Sequence, residues 1–296
     1  MKLSKKQSLI VLHIIIFVWG FTGILGELIN MQSIPLVFNR MILAFLSLAI
    51  FELFFIKNKN VSYKNKLYFF GTGILISIHW IFFFEAINIY NVSLAVTCLS
   101  TTSFFTSFID PIFKKKKIKI HEILLSFFVI IGVLIIFFSP EDLSLKLREK
   151  AIFFSVLSAM IASIFTSLNS IYIEEGNSSF QITKYEMIGG ATFTLFYLFI
   201  NKQIDTNLIP RGNDIIYILI LSVVCTSIAY LISVDIMKKI KPFTMNISVN
   251  LEPIYAMILA IIFFNDKEIM SIGFYIGASI IIISIYFNSY IKKKLK

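Results

Sequence analysis

The chain has 296 residues, of which 57% are hydrophobic and 15% charged, with a formal net charge of +10. A water-soluble domain of this length needs a larger polar share to cover its surface, so a soluble globular protein is excluded. The basic residues stand in short knots between long apolar runs, which suits lipid headgroups and disfavours a nucleic-acid groove.

Ten apolar segments follow one another, at about 9–29, 34–56, 67–89, 92–113, 122–139, 151–173, 181–200, 214–236, 243–264 and 269–290. A run of roughly 18 or more such residues is long enough to cross the hydrocarbon core as a helix. The expected fold is therefore an all-α membrane protein with ten transmembrane helices. A β-barrel would alternate polar and apolar residues over strands of about ten residues, and these runs do not alternate. The first segment follows Lys2, Lys5 and Lys6, yet it is too long for a signal peptide, carries Glu27 and lacks a small-residue cleavage pattern. Cys98 and Cys225 both fall inside apolar segments. They offer neither a disulfide framework nor metal-ligand spacing.

Alternating sides from a cytoplasmic N-terminus puts twenty of the 27 basic residues inside and six outside, with Arg40 inside the membrane. That bias is the positive-inside pattern, so both termini are expected in the cytoplasm of a cell with this protein in its plasma (inner) membrane.

The ten segments divide into two units, 9–139 and 151–290, joined by the polar stretch "SPEDLSLKLREK" at 139–150, where Pro140 ends the fifth segment. At an offset of 150, Trp80 aligns with Tyr230 and Glu85 with Asp235. Five is odd, so the second unit enters from the opposite side. Such an inverted repeat is a recurring plan of secondary transporters, with substrate near the midplane between the halves.

Three local patterns sharpen this expectation: "FVWGFTG" at 17–23, "WIFFFEAINIYNVSLA" at 80–95, and "LEPIYAMILAIIFFNDKE" at 251–268 followed by "GFYIGASIIIISI". With the ten-segment layout they resemble the EamA family of the drug/metabolite transporter superfamily, over essentially the whole chain as two units. The resemblance implies transport of small organic solutes such as amino acids, metabolites or drugs, commonly outward, with import or uniport as the second reading. The chain departs from the family pattern at Thr101–Ser103, where the fourth helix usually carries proline, and at the Lys114–Lys117 run, where a Glu is usual.

Candidate functional residues are those that an apolar environment tolerates poorly. Arg40, beside Asn39, lies about 9 Å below the outer end of the second segment at 1.5 Å per residue. Glu85 and Glu27 stand at nearly the same depth on neighbouring segments, so a charge pair with one of them is the first expectation. A bidentate clamp on a substrate carboxylate is the second. Glu252 precedes Pro253 mid-segment, where proline disfavours helix at the preceding residue. A carboxyl withdrawn from water holds a proton near neutral pH, so Glu252 is the expected proton carrier, with a structural acid bonded to a neighbouring helix as the alternative. His79 reads as a bonded core histidine or a relay. Trp19, Trp80 and Tyr230 read as cavity walls or as core filling.

Glu27, Glu52, Asp110 and Asp235 lie near segment ends, where water or headgroups solvate them. The hydroxyls of 100–107 and 158–170 read as helix packing first. So do glycines 20, 23 and 26 and the Gly273/Gly277 pair, with a dimer face second.

No HExxH, GxSxG or glycine-rich phosphate loop occurs, so no enzyme activity, metal or cofactor is expected. A membrane scaffold and an intramembrane enzyme are the minor alternatives. The expected partners are a small-molecule substrate, coupling protons and membrane lipid, with no nucleic acid, in a monomer or a homodimer.

Overall fold

The computed structural model describes residues 3–55, 61–138, 145–204, 208–264 and 271–294. Among these the chain is helical and contains no strand. The helices are α1 (Lys5–Leu28), α2 (Ser33–Phe55), α3 (Tyr63–Ile89), α4 (Val92–Leu99), α5 (Thr102–Phe113), α6 (Ile120–Phe137), α7 (Leu145–Glu174), α8 (Ser179–Ile200), α9 (Asp214–Leu219), α10 (Ala229–Ile236), α11 (Pro242–Val249), α12 (Glu252–Phe264) and α13 (Ile272–Lys294). A π-helical stretch, Ile220–Ile228, joins α9 to α10 without a break. Of the 139–150 linker, residues 139–144, including Pro140, lie outside the described residues.

Short polar signals start the helices. Ser4 and Gln7 form a reciprocal capping box at α1, which satisfies two backbone donors that have no partner inside the helix. Ser62 caps α3 and Asn91 caps α4, the latter accepting from the Leu94 N–H at 2.9 Å. Pro242 occupies the first turn of α11, where its missing N–H is harmless.

Among the described residues seven spans are long and apolar enough to cross a membrane: Lys5–Leu28, Ser33–Phe55, Tyr63–Ile89, Val92–Phe113, Lys146–Glu174, Asp214–Ile236 and Pro242–Phe264. Within α6 and α13 the described residues form apolar stretches at Ile120–Gly132 and Tyr275–Ser284. α8 is diluted by Gln181, Lys184 and Glu186. Large apolar side chains such as Leu53, Phe54, Phe128, Phe199 and Ile262 stand exposed around the bundle. A surface so apolar belongs in lipid.

The tightest crossing is that of α3 on α8. A Cβ on Gly73 would collide with the Glu186 carbonyl oxygen, and one on Gly189 with the Phe70 carbonyl oxygen. These glycines let the two backbones touch, as small residues do between membrane helices. Of the sequence's own candidates, Gly20 meets Tyr255 and Gly23 meets Val92, so both serve packing within the chain. α6 packs chiefly on α13. There Gly132 is closed in by the Gly277 carbonyl, which a Cβ would approach to 2.6 Å.

The acids near helix ends are neutralised by lysines. Lys114 pairs with Asp110 (3.1 Å) and Glu174 (2.8 Å), Lys184 with Glu52 (2.6 Å), and Lys238 with Asp235. Lys114 thereby ties α5 to α7, and Lys184 ties α8 to α2.

Candidate functional site

Two helices are interrupted at matching places. The fourth apolar segment breaks at Ser100–Thr101, between α4 and α5, and the ninth at Asn250–Leu251, between α11 and α12. At both breaks the backbone closes short turns, with the Thr101 N–H donating to the Cys98 carbonyl at 3.1 Å and the Leu251 N–H to the Ser248 carbonyl at 3.0 Å. Pro253 explains the second break. At the second position of α12 it has no N–H to donate back into α11, so the ladder stops and a new helix starts at Glu252. The first break has no proline. Its hydroxyls bond back to nearby carbonyls instead, Thr101 to Cys98 (2.8 Å) and Thr102 to Leu99 (2.7 Å). Such bonds offer the chain an alternative to the helical ladder.

Both breaks border one pocket of about 100 Å³. Its wall contains four pairs of residues, each 150 positions apart in the chain: Trp80 and Tyr230, Phe83 and Ser233, Leu99 and Val249, Thr102 and Glu252. The remaining wall includes Trp19, Arg40, His79, Phe165, Thr166 and Asn246. A second, much wider cavity of about 1030 Å³ opens at the bundle end where α1 turns into α2, between Glu27, Gln32, Asn88, Arg211 and Asp214.

Arg40 dominates the inner pocket. Its side chain is only 2% exposed. The guanidinium lies over the Trp80 ring, with Cζ 3.7 Å from the ring centre, a cation–π contact that strengthens when water is excluded. Nε donates to Thr226 Oγ1 at 2.8 Å. Nη1 is buried without a hydrogen-bond partner. The expected pair with Glu85 or Glu27 does not form: among the described residues no carboxylate makes an ion pair with Arg40. Glu85 instead accepts from Ser33 Oγ at 2.7 Å, and Asn88 donates to the same hydroxyl at 3.1 Å. Equal depth along two helices does not make two residues neighbours. Rotation about each axis turns Glu85 toward α2's first turn and Arg40 toward the π-helical stretch. Glu252 lines the same pocket as Arg40.

The structure therefore brings six of the seven sequence candidates together and leaves Glu85 out. Trp19 is fixed by its indole N–H, which donates to the Cys225 carbonyl at 3.1 Å. That carbonyl belongs to the π-helical stretch. The same geometry lets the Thr226 hydroxyl bond the Leu221 carbonyl five residues back at 2.8 Å while facing Arg40. His79 Nδ1 lies 2.9 Å from the Ser158 carbonyl oxygen, and Ser158 Oγ donates to the His79 carbonyl at 2.9 Å. Ser158 Oγ also stands 2.7 Å from Nδ1, and these contacts clamp α3 to α7 at the pocket's edge. Tyr230 closes the wall opposite Trp80, ring centres 6.4 Å apart. Thr226, Asn246 and Glu186 are participants that sequence analysis did not single out. Asn246 reaches across to Thr106 on α5 at 2.7 Å. Among the described residues no group of three His, Cys, Asp or Glu side chains could hold a metal.

The model of the EamA-like transporter family matches the chain twice, over residues 7–138 and 149–290. The chain belongs to this family. It is thus a multi-pass helical membrane protein from a family of small-solute transporters, not of enzymes. No curated protein matches the sequence. Twenty-eight chains of known structure are similar. One of them, described only as "Crystal structure of protein", superposes with a TM-score of 0.70 at 12% identity, over 95% of this chain and 96% of its own. At that identity the likeness speaks to the EamA fold alone.

Proposed function

We propose that this EamA protein is a ten-helix secondary carrier of small organic solutes that bear a carboxylate, working by alternating access and moving its solute outward. The observation that carries this reading is Arg40: buried, unpaired by any carboxylate among the described residues, and with Nη1 unbonded at a pocket wall. A guanidinium left half satisfied away from water is costly, and a planar carboxylate is the group that completes it. Glu252 balances the charge while the pocket is empty. When a carboxylate binds Arg40, Glu252 is free to take a proton, which couples solute to proton movement. Trp80, Trp19 and Tyr230 supply apolar walls for the rest of the solute.

The four lining pairs at the 150-residue spacing support two equivalent units, 9–139 and 151–290, wrapped about one site. With five helices each, the units are inverted, a plan that allows two related packings, one open to each side. The pocket's small size supports movement of the same kind. Sites for small organic molecules usually offer about 300 Å³ or more, so this one must widen to load.

Uptake in proteoliposomes tests the reading. The probe is the labelled carboxylic solute that differs most between metabolite profiles of cells with and without the protein. Its amide analogue serves as control. Exchange of the acid and not of the amide is expected. Equal movement of both, or of neither, would sink the carboxylate reading. Two further outcomes are expected. Glu252→Gln should still bind the acid and lose its accumulation under a pH gradient, since the amide keeps size and hydrogen bonding but not the proton. A reporter fused at either terminus should be cytoplasmic and one in 140–150 external, as the basic-residue bias requires. An external C-terminus would overturn both the orientation and the even helix number.

A further inference from the structure

Behind the pocket wall lies a second buried acid. Glu186 on α8 is 0% exposed. Among the described residues no lysine, arginine or histidine makes an ion pair with it. Tyr230, whose ring lines the pocket, donates its hydroxyl to Glu186 Oε2 at 3.2 Å and accepts from Asn169 Nδ2 at 2.8 Å. Two oxygens of this cluster are left without partners, Glu186 Oε1 and Asn169 Oδ1. Both are acceptors when the acid is ionised, and no donor bonds either. A proton on Glu186 turns its carboxyl from an acceptor alone into a donor. It also removes a buried, unpaired negative charge, whose isolation from water is costly.

Among the described residues the surroundings offer no cation to neutralise the acid. α10 presents Tyr230 and α7 presents Asn169 and Tyr172, whose hydroxyl bonds Thr72 of α3 at 3.0 Å. α3 meets Glu186 with the bare backbone of Gly73, and α2 sends the Met41 thioether against Gly190 one turn on. Arg40, also on α2, is engaged by Trp80 and Thr226. We propose that Glu186 is a proton-binding site of this transporter, loaded in the closed arrangement seen here and coupled to the pocket through Tyr230. Loss of the proton leaves a charge that needs donors or water. Tyr230 and the α8 backbone that faces Gly73 of α3 must then shift, and the pocket wall shifts with them. This rests on the reading of the pocket as the solute site.

The test uses the full chain in lipid nanodiscs without solute. Infrared spectra of a Glu252→Gln background should show a protonated carboxyl C=O band at neutral pH that disappears as the pH is raised. Adding Glu186→Gln should remove it, and Glu186→Asp should move it from ¹³C-labelled glutamate to aspartate. The two tryptophans of the chain, Trp19 and Trp80, both line the pocket, so their fluorescence should change over the same pH range. Tyr230→Phe should abolish the fluorescence change while the carboxyl band persists. Absence of the band in the background at neutral pH, its survival in Glu186→Gln, or a fluorescence transition indifferent to Tyr230→Phe would each overturn the proposal. Because no solute is present, failure of solute exchange in proteoliposomes would count against the carrier reading and leave this result intact.

Discussion

Arg40→Lys is expected to yield a folded protein that binds carboxylate solutes about a hundredfold more weakly, the equivalent of roughly 3 kcal/mol for a charged hydrogen-bonded pair. The ammonium can keep the positive charge, but it cannot lie flat on Trp80, bond Thr226 and present two parallel N–H groups at once. Arg40→Ala goes further, removing the charge that Glu252 faces and the largest fully buried side chain of the protein. Lower folded yield is expected there, and Glu85→Ala should not restore it, because Glu85 bonds Ser33 and not Arg40. Glu252→Gln in the Arg40→Ala background should restore part of it, by removing the acid left without a counter-charge. Binding by isothermal calorimetry and yield by size-exclusion chromatography separate the two effects. Wild-type affinity in a folded Arg40→Lys protein would end the clamp reading.

Gly73→Ala and Gly189→Ala should each cost about 3 kcal/mol or more, beyond the usual range for one extra methyl in a packed interior. The obstacles are carbonyl oxygens of the facing helix, not the ends of flexible side chains, so α3 and α8 must separate along their whole crossing. Gly71→Ala is the matched control. It lies two residues from Gly73 on the same helix, and a Cβ there meets nothing within 4 Å. Thermal unfolding in detergent should place Gly71→Ala with the wild type and both crossing variants far below it. A crossing variant as stable as the control would show that the helices do not meet this closely.

The helices were legible because apolar length is a one-dimensional signal, and the acids at helix ends were legible for the same reason. The functional cluster was legible only in part. Arg40, Glu252 and the aromatic residues drew notice through their chemistry. What faced Arg40 did not follow, since depth in a membrane is read along the chain and direction around the axis is not. Glu186 was hidden by its neighbour. In "QITKYEMIGG" it stands two residues from Lys184 and resembles another interfacial charge. Two residues are about 200° around a helix of 3.6 residues per turn. Lys184 therefore faces Glu52 while Glu186 faces Tyr230. The π-helical stretch had no signal at all, since "ILSVVCTSI" is as apolar as its surroundings. Of the two helix breaks, only the one at Pro253 carried a marker.

The partnership of α6 with α13 bears on how the protein is made. The ribosome delivers α6 to the membrane long before α13 exists, since Gly132 and Gly277 are 145 residues apart. At synthesis rates of about 5–20 residues per second, that gap lasts roughly 7–30 seconds. Throughout it, α6 has lipid where its main neighbour belongs, and the closing contact of the early half waits for α13 of the late one. Maturation of the two halves is thus linked at the synthesis of α13. A nascent chain stalled before α13 should be recognised by membrane quality control as unfinished even with its pocket residues already inserted.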